Sequence, residues 1–227
     1  MSAHPRSKLD QRYVHARVAL TLLETVRDND RPGELLGDEN VTVTMPRRFG
    51  LSYVVEAQIQ RYRQETKRGC RIPEQEIRDL IRLVSRRPDA GAILLGVGRS
   101  LTNDDGGGGW RRLLPERLAL KLARMRLQRR FRVLFGSKFL SAPRGEFLLL
   151  ATNDVLFKAD PAGRACALVT GLSQVVLEGY GSGSRTVAHV SCRARGDSDC
   201  RWSFEDASLA QPGPDDPTSN REHGEVG

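Results

Sequence analysis

The fold of this 227-residue chain is decided by two stretches of its sequence, Cys166-Ala-Leu-Val-Thr-Gly171 and Ser191-Cys192-Arg-Ala-Arg-Gly196-Asp-Ser-Asp-Cys200-Arg-Trp202. Together they hold three of the four cysteines, and His189 precedes the second stretch. Thiolate and imidazole are the ligands that a tetrahedral zinc ion prefers. A Gly-Asp turn at 196–197 can fold two cysteines back toward one ion. The composition therefore predicts a metal site, although the spacing is not the CxxC of zinc fingers.

With the Gly179-Tyr180 pair between them, these stretches resemble the signature of the 4-vinyl-reductase domain family. The family pattern is a cysteine, a Gly-Tyr helix, then Glu-x-x-Cys-x-x-x-Gly-x-x-x-Cys and an aromatic residue. Relatives occur in bacteriochlorophyll-pathway proteins and in the sensor part of activators of aromatic catabolism. Their fold is shared with heme/NO-sensing domains and with TRAPP-like vesicle-tethering subunits.

The resemblance implies a zinc ion held by Cys166, Cys192 and Cys200, because in the aromatic sensors the three cysteines and the glutamate hold a structural zinc. This chain has His189 in place of the glutamate. Imidazole remains a zinc ligand, so the resemblance implies His189 as the fourth one.

The spacing of His189 and Cys192 raises a geometric difficulty, because side chains three apart in a regular strand point to opposite faces. A β-bulge near Ser191, or a strand that ends there, would bring both to one ion. Asp197, Asp199 or a water molecule are the alternative fourth ligands. The competing interpretation is a half-buried strand histidine beside reduced core thiols. If the four ligands do meet, they leave no open coordination position, and the zinc is structural.

The resemblance and the apolar periodicity together predict an α+β fold. We expect an antiparallel sheet of about four to five strands packed against several helices, of the 4-vinyl reductase / NO-signalling and Golgi-transport ligand-binding type. Apolar spacing predicts helices over residues 9–28, 52–67, 73–87, 114–135 and 165–178. Alternating segments predict a strand at 41–44, a hairpin within 138–151, and a second hairpin from 186–194 and 201–204.

The domain organisation follows from these elements. We predict an N-terminal helical arm over residues 1–39, a ligand-binding domain over 40–206 with its signature in 138–206, and a disordered tail over 207–227. The helix at 9–28 is either an arm held against a partner or an ordinary packed helix. The apolar stretch 92–101 contains Gly96-Val-Gly98. Close helix packing explains these glycines better than dinucleotide binding, because the third glycine is missing.

The segment 111–135 accounts for the whole net charge of the chain. Its nine basic residues against one acid equal the net charge of +8; they are Arg111, Arg112, Arg117, Lys121, Arg124, Arg126, Arg129, Arg130 and Arg132. They form a solvated face with stems lying over apolar surface, or a site for an anionic ligand or partner protein. Arg124 and Arg130 are the candidate contacts. Nucleic acid is the least favoured partner, since no helix-turn-helix or aromatic stacking motif accompanies the charge.

Trp110 follows the glycine-rich segment 103–109. It is either an aromatic lid over a ligand or a core residue that anchors the segment.

Sequence motifs for catalysis are missing: the chain has no Gly-x-Ser-x-Gly, His-Glu-x-x-His or phosphate loop. An enzyme is therefore not favoured. No signal peptide and no bilayer-length apolar run is recognised, so we expect a soluble cytoplasmic protein without a membrane span.

The leading functional hypothesis is a stand-alone domain of the 4-vinyl-reductase type that binds a small apolar or tetrapyrrole-like ligand. By resemblance it would assist (bacterio)chlorophyll biosynthesis or act in sensing. The first alternative is a dimerising, non-catalytic scaffold of the TRAPP-like type, with a homodimer or a partner protein as the assembly. An effector sensor in transcriptional regulation and a true reductase are the weaker alternatives.

Overall fold

The structure is a computed structural model that describes residues 13–30, 53–102, 114–136, 140–141, 149–151, 155–180 and 185–206. The predicted strand at 41–44, the domain boundary at residue 39, Trp110 and the predicted tail 207–227 lie outside these residues.

The described chain combines helices with two small antiparallel sheets, which confirms the α+β class. The helices are α1 (Ala16–Asn29), α2 (Tyr53–Lys67), α3 (Glu74–Ser85), α4 (Ala90–Ser100), α5 (Glu116–Phe135), α6 (Val155–Ala159) and α7 (Cys166–Glu178). The strands are β1 (Tyr13–His15), β2 (Arg71–Pro73), β3 (Leu140–Ser141), β4 (Leu149–Ala151), β5 (Arg185–Ser191) and β6 (Arg201–Asp206). Strands β1 and β2 pair with each other, and the second sheet has the order β3-β4-β6-β5. The specific fold type within the α+β class stays a prediction.

The predicted helix at 9–28 was wrong at its start, because residues 13–15 form strand β1 and pair with β2. His15 ends the strand and caps α1: its Nδ1 accepts the backbone N–H of Arg17 at 3.1 Å. That bond satisfies one of the donors that a helix leaves free at its N-terminus. Helix α1 then buries Val18 and Leu22 in the common core. Helix α1 is therefore packed against the described core, and the boundary of an N-terminal arm stays a prediction.

Helices α4 and α7 pack closely against each other, and two glycines permit it. A Cβ at Gly98 would lie 2.1 Å from the carbonyl O of Leu168, and one at Gly171 would lie 2.2 Å from that of Leu95. Both distances are far below van der Waals contact with rigid backbone. The prediction that Gly98 serves helix packing is confirmed, and the crossing fixes the helix that carries Cys166.

Helix α5 buries one face and exposes the other. Ala123, Leu127 and Phe131 are fully buried. Leu118 and Met125 lie on the other face and are 43% and 55% exposed. The apolar residues of α5 outnumber the positions that face the core. The surplus therefore lies on the solvent side.

The outer edge of β5 is partly occupied by side chains. Gln174 of α7 accepts the N–H of Val187 at 2.8 Å and donates to the carbonyl of Arg185 at 3.2 Å. The guanidinium of Arg195 donates to the carbonyl of His189 at 3.2 Å. These bonds use backbone groups with which another strand would have to pair, and so they protect the edge from strand addition.

Each helix in the described ranges is too short or too polar to span a bilayer.

Candidate metal centre

The first predicted ligand, Cys166, is positioned by a tight loop before α7. Asp160 is buried, and its carboxylate accepts the N–H of Ala162 at 3.2 Å and that of Ala165 at 2.7 Å. Gly163 follows with φ +80, in the left-handed region that favours glycine. A Cβ at Gly163 would lie 3.0 Å from Sγ of Cys192. The loop therefore packs directly against a second ligand.

The other three ligands come from the β5–β6 hairpin. The register of the hairpin shifts between His189 and Ser191. This is the bulge that the spacing of His189 and Cys192 requires, and the prediction is confirmed. After Cys192 the chain makes one turn of 3-10 helix and reverses at Gly196, which has φ +94. The carboxylate of Asp197 accepts the N–H of Cys192 at 2.5 Å and closes the turn.

The four predicted ligands form one group. We call Cys166, His189, Cys192 and Cys200 the Cys3His group; one ligand atom from each lies within 4.8 Å of the others. Sγ of Cys166 and Sγ of Cys200 are 3.9 Å apart. Zn–S bonds of about 2.3 Å at the tetrahedral angle place two sulfurs roughly 3.8 Å apart. All four cysteines of the chain are free thiols. The spacing therefore fits a tetrahedral cation.

The charge state of the thiols depends on such a cation. Burial raises the pKa of the Cys166 thiol, and negative charge on Cys200 and Cys192 raises it further. Burial likewise raises the pKa of Cys200, opposed by the backbone N–H of Arg193. A helix N-terminus favours the thiolate form of a cysteine, but burial outweighs this effect at Cys166. Since a bound divalent cation deprotonates its thiol ligands, metal binding at this group releases protons.

The surroundings of His189 suit a metal ligand. Its ring stacks on Trp202 with the centroids 4.7 Å apart. Burial and the charge of Arg195, opposed by Asp197, lower the pKa of His189 to about 4. The imidazole is therefore neutral at pH 7 and has a free lone pair. Its Nε2 is buried and has no hydrogen-bond partner. A buried nitrogen without a partner is costly unless a ligand satisfies it.

The two alternative protein ligands are engaged elsewhere. Asp197 holds the N–H of Cys192. Asp199 accepts from Nε of Arg201 at 2.5 Å and from its Nη2 at 3.0 Å, and this pairing lowers the pKa of Asp199. The geometry therefore favours His189 as the fourth ligand over both carboxylates.

The remaining predicted site residues are not part of this group. Arg130 donates through Nε to the carbonyl of Leu101 at 3.2 Å, just beyond the end of α4. This bond caps the C-terminal end of that helix; a contact of Arg130 with a ligand or partner stays a prediction. Arg124 is half-buried on α5. The contact between Gly163 and Cys192 was not predicted. The Asp-Pro-Ala-Gly sequence at 160–163 indicates the turn but not the residue against which it packs.

A cleft of about 430 Å³ lies among α1, α2 and α4. Four hydroxyl side chains, three charged side chains and one leucine line it: Thr21, Thr25, Thr66, Ser100, Arg17, Glu24, Asp28 and Leu20. The family resemblance implied an apolar pocket between helices and sheet. This cleft is polar, and helices alone form its described walls.

Comparison of the chain with models of known families, with curated proteins and with solved structures finds no match.

Proposed function

We propose that the Cys3His group binds one zinc ion and that the chain is a zinc-stabilised, non-catalytic ligand-binding domain of the 4-vinyl-reductase type. The main support for a bound metal is the buried Nε2 of neutral His189, which has no hydrogen-bond partner and lies beside three thiols. A core histidine among reduced thiols is the competing account. It would leave that nitrogen unsatisfied at a cost of about 1–3 kcal/mol.

The chemistry of the donor set selects zinc. Three sulfurs and one imidazole nitrogen at tetrahedral spacing are typical of zinc, whereas magnesium and calcium prefer oxygen ligands. Four protein ligands leave no position for a substrate, so the ion has a structural role. It would tie the first turn of α7, through Cys166, to both ends of the 192–200 turn.

The structural role has a direct test in chelation. Removing zinc would leave three buried thiols without their cation, and the hairpin would lose one of its links to α7. We expect a chelator to lower the urea midpoint and zinc to restore it, with no such effect in Cys166→Ser/Cys200→Ser. An unchanged midpoint in the wild-type chain after complete metal removal would contradict the structural role.

The ligand-binding part of the proposal is supported by the signature residues and by the size of the polar cleft. Its volume of about 430 Å³ falls within the range of roughly 300–1,000 Å³ that is usual for small-molecule sites. The four hydroxyl groups favour a ligand with polar groups, whereas Arg17 stands against two carboxylates, Glu24 and Asp28, so the lining does not favour an anion. A tetrapyrrole is the first compound to test because the resemblance implies it. By resemblance, the chain would handle such a pigment or sense an aromatic effector.

Fluorescence titration tests the ligand. We expect saturable quenching with protoporphyrin IX or with a benzoate, weakened in Arg17→Ala. Failure of both compounds to bind would refute the ligand-binding function and leave the structural zinc untouched. Light scattering on the same samples separates the scaffold alternative, which requires a stable dimer. Turnover of a reduced nicotinamide would establish the reductase alternative.

A further inference from the structure

The outward face of α5 combines apolar side chains with cations. Leu118, Met125 and Val133 are 43%, 55% and 44% exposed, and Leu122 is half-buried. At about 100° per residue, all four lie within roughly 60° of Leu118 around the helix axis. They form one stripe about 22 Å long, at 1.5 Å per residue. A single exposed leucine needs no explanation, but a continuous stripe marks an interaction surface.

Lys121, Arg129 and Arg132 lie on the same face, also within about 60° of Leu118. All three are exposed. Within the described part of the chain, their side chains make no hydrogen bond, ion pair or ring contact. Other described arginines are paired: Arg87, for example, binds Asp30 and Asp89. Residues 117–136 contain no acidic residue. The positive charge of this face is therefore uncompensated locally.

We propose that this α5 face (Leu118, Lys121, Leu122, Met125, Arg129, Arg132 and Val133) binds an anionic lipid bilayer surface. The cations meet acidic headgroups, and the apolar stripe between them enters the boundary between headgroups and acyl chains. Basic stems can lie along the apolar surface while their charged ends reach the headgroups. The buried face, with Leu127 and Phe131, keeps α5 attached to the core during binding.

The charges and the shape of this face argue against other occupants. A second copy docked through the same face would bring like charges together. A partner that wraps around a basic helix cannot do so here, because the other side of α5 is buried in the core. Nucleic acid would satisfy the cations but leave the apolar stripe without a partner. A membrane surface matches both properties of the face.

The test is sedimentation of the full chain with vesicles of phosphatidylcholine alone and of phosphatidylcholine mixed with phosphatidylserine. We expect binding to the mixed vesicles only, lost at high salt. Each basic residue near an anionic surface contributes about 1 kcal/mol, so Lys121→Glu/Arg129→Glu weakens binding by at least about 25-fold. Leu118→Ser/Met125→Ser weakens it at least about tenfold, since two partly buried apolar side chains are lost. These residues are exposed, so the urea midpoint should stay unchanged.

The matched control is Lys67→Glu/Arg86→Glu. It makes the same change in net charge at exposed cations elsewhere on the surface and should keep full binding. The proposal is overturned if the control loses as much binding as Lys121→Glu/Arg129→Glu, if neutral vesicles bind equally, or if no vesicle binds. Polyglutamate is tested as a further binding partner. If it binds through the α5 face while vesicles do not, the occupant is an acidic protein and the lipid proposal is wrong.

Discussion

Replacing Gly98 by alanine tests the helix crossing that positions the metal centre. Gly98 lies on α4, and its missing side chain leaves room for the backbone of α7. The added Cβ would lie 2.1 Å from the carbonyl O of Leu168 and 2.8 Å from the N of Leu172. Both are backbone atoms of a packed helix and cannot rotate away. The two helices must separate by about 1 Å to restore ordinary contact.

The expected cost follows from two opposing effects. Overpacking against rigid atoms costs about 1–3 kcal/mol, and this site belongs at the upper end. The change also gains up to about 1 kcal/mol, because alanine favours a helix over glycine. The net destabilisation is about 2 kcal/mol. For a chain of this size, this corresponds to a fall in Tm of about 4–8 °C. Zinc affinity should fall with it, because α7 carries Cys166.

Urea unfolding followed by circular dichroism measures the change. The control is Gly91→Ala on the same helix, where an added Cβ meets nothing within 4 Å. That variant should keep the free energy of unfolding or raise it by up to about 1 kcal/mol. Equal stability of the Gly98 and Gly91 variants would show that α4 and α7 do not cross as described.

Three further predictions concern local contacts. Burial, followed by the charge of nearby arginines, lowers the pKa of His15 in the folded state. The stability that neutral His15 contributes is therefore full above the unfolded-state pKa of about 6.5 and declines as the pH falls below that value. Urea midpoints at pH 7.5 and 5.5 should therefore differ less in His15→Asn, which keeps the cap; an equal difference contradicts this. Thr170 accepts the indole N–H of buried Trp202 at 3.1 Å, so Thr170→Val should cost about 1–3 kcal/mol in urea unfolding, whereas Thr170→Ser should cost less. Gly163→Ala forces a side chain to φ +80, 3.0 Å from Sγ of Cys192, and should weaken zinc binding in a competition titration with a chelating dye; unchanged affinity would show that the loop is independent of the site.

Much of the fold could be predicted from sequence because local signals were strong. Pro73 before two acidic residues marks the start of α3. The C-terminal hairpin follows from alternation and the Gly196 turn. The start of α1 was mispredicted because Tyr13 and Val14 fit the helical period, while their actual state depends on pairing with β2, a segment almost 60 residues away. The apolar periodicity of one sequence gives no information about such a long-range strand pairing.

The sequence predicts which four residues come together at this site, but it does not predict the electrostatics of the site. Cysteine and histidine identities, the required bulge and the Gly196 turn are all local features of the sequence. At Cys166, burial affects the thiol pKa more than the helix N-terminus does, and the extent of burial depends on how the hairpin covers α7. On α5, likewise, the sequence shows several apolar residues in each turn but does not show which of them face solvent. Packing against the other elements decides that Leu127 is buried and Met125 exposed.

The central claim is that the Cys3His group holds one zinc ion with His189 as a ligand. The most direct measurement is the zinc content of the chain, purified without chelator, in the wild type, His189→Ala and His189→Glu. We predict one zinc per chain in the wild type. Competition with a chelating dye should show much weaker affinity in His189→Ala, and recovery in His189→Glu, because glutamate again supplies a fourth protein ligand. Absence of zinc from the wild type, or equal affinity in wild type and His189→Ala, would contradict the account.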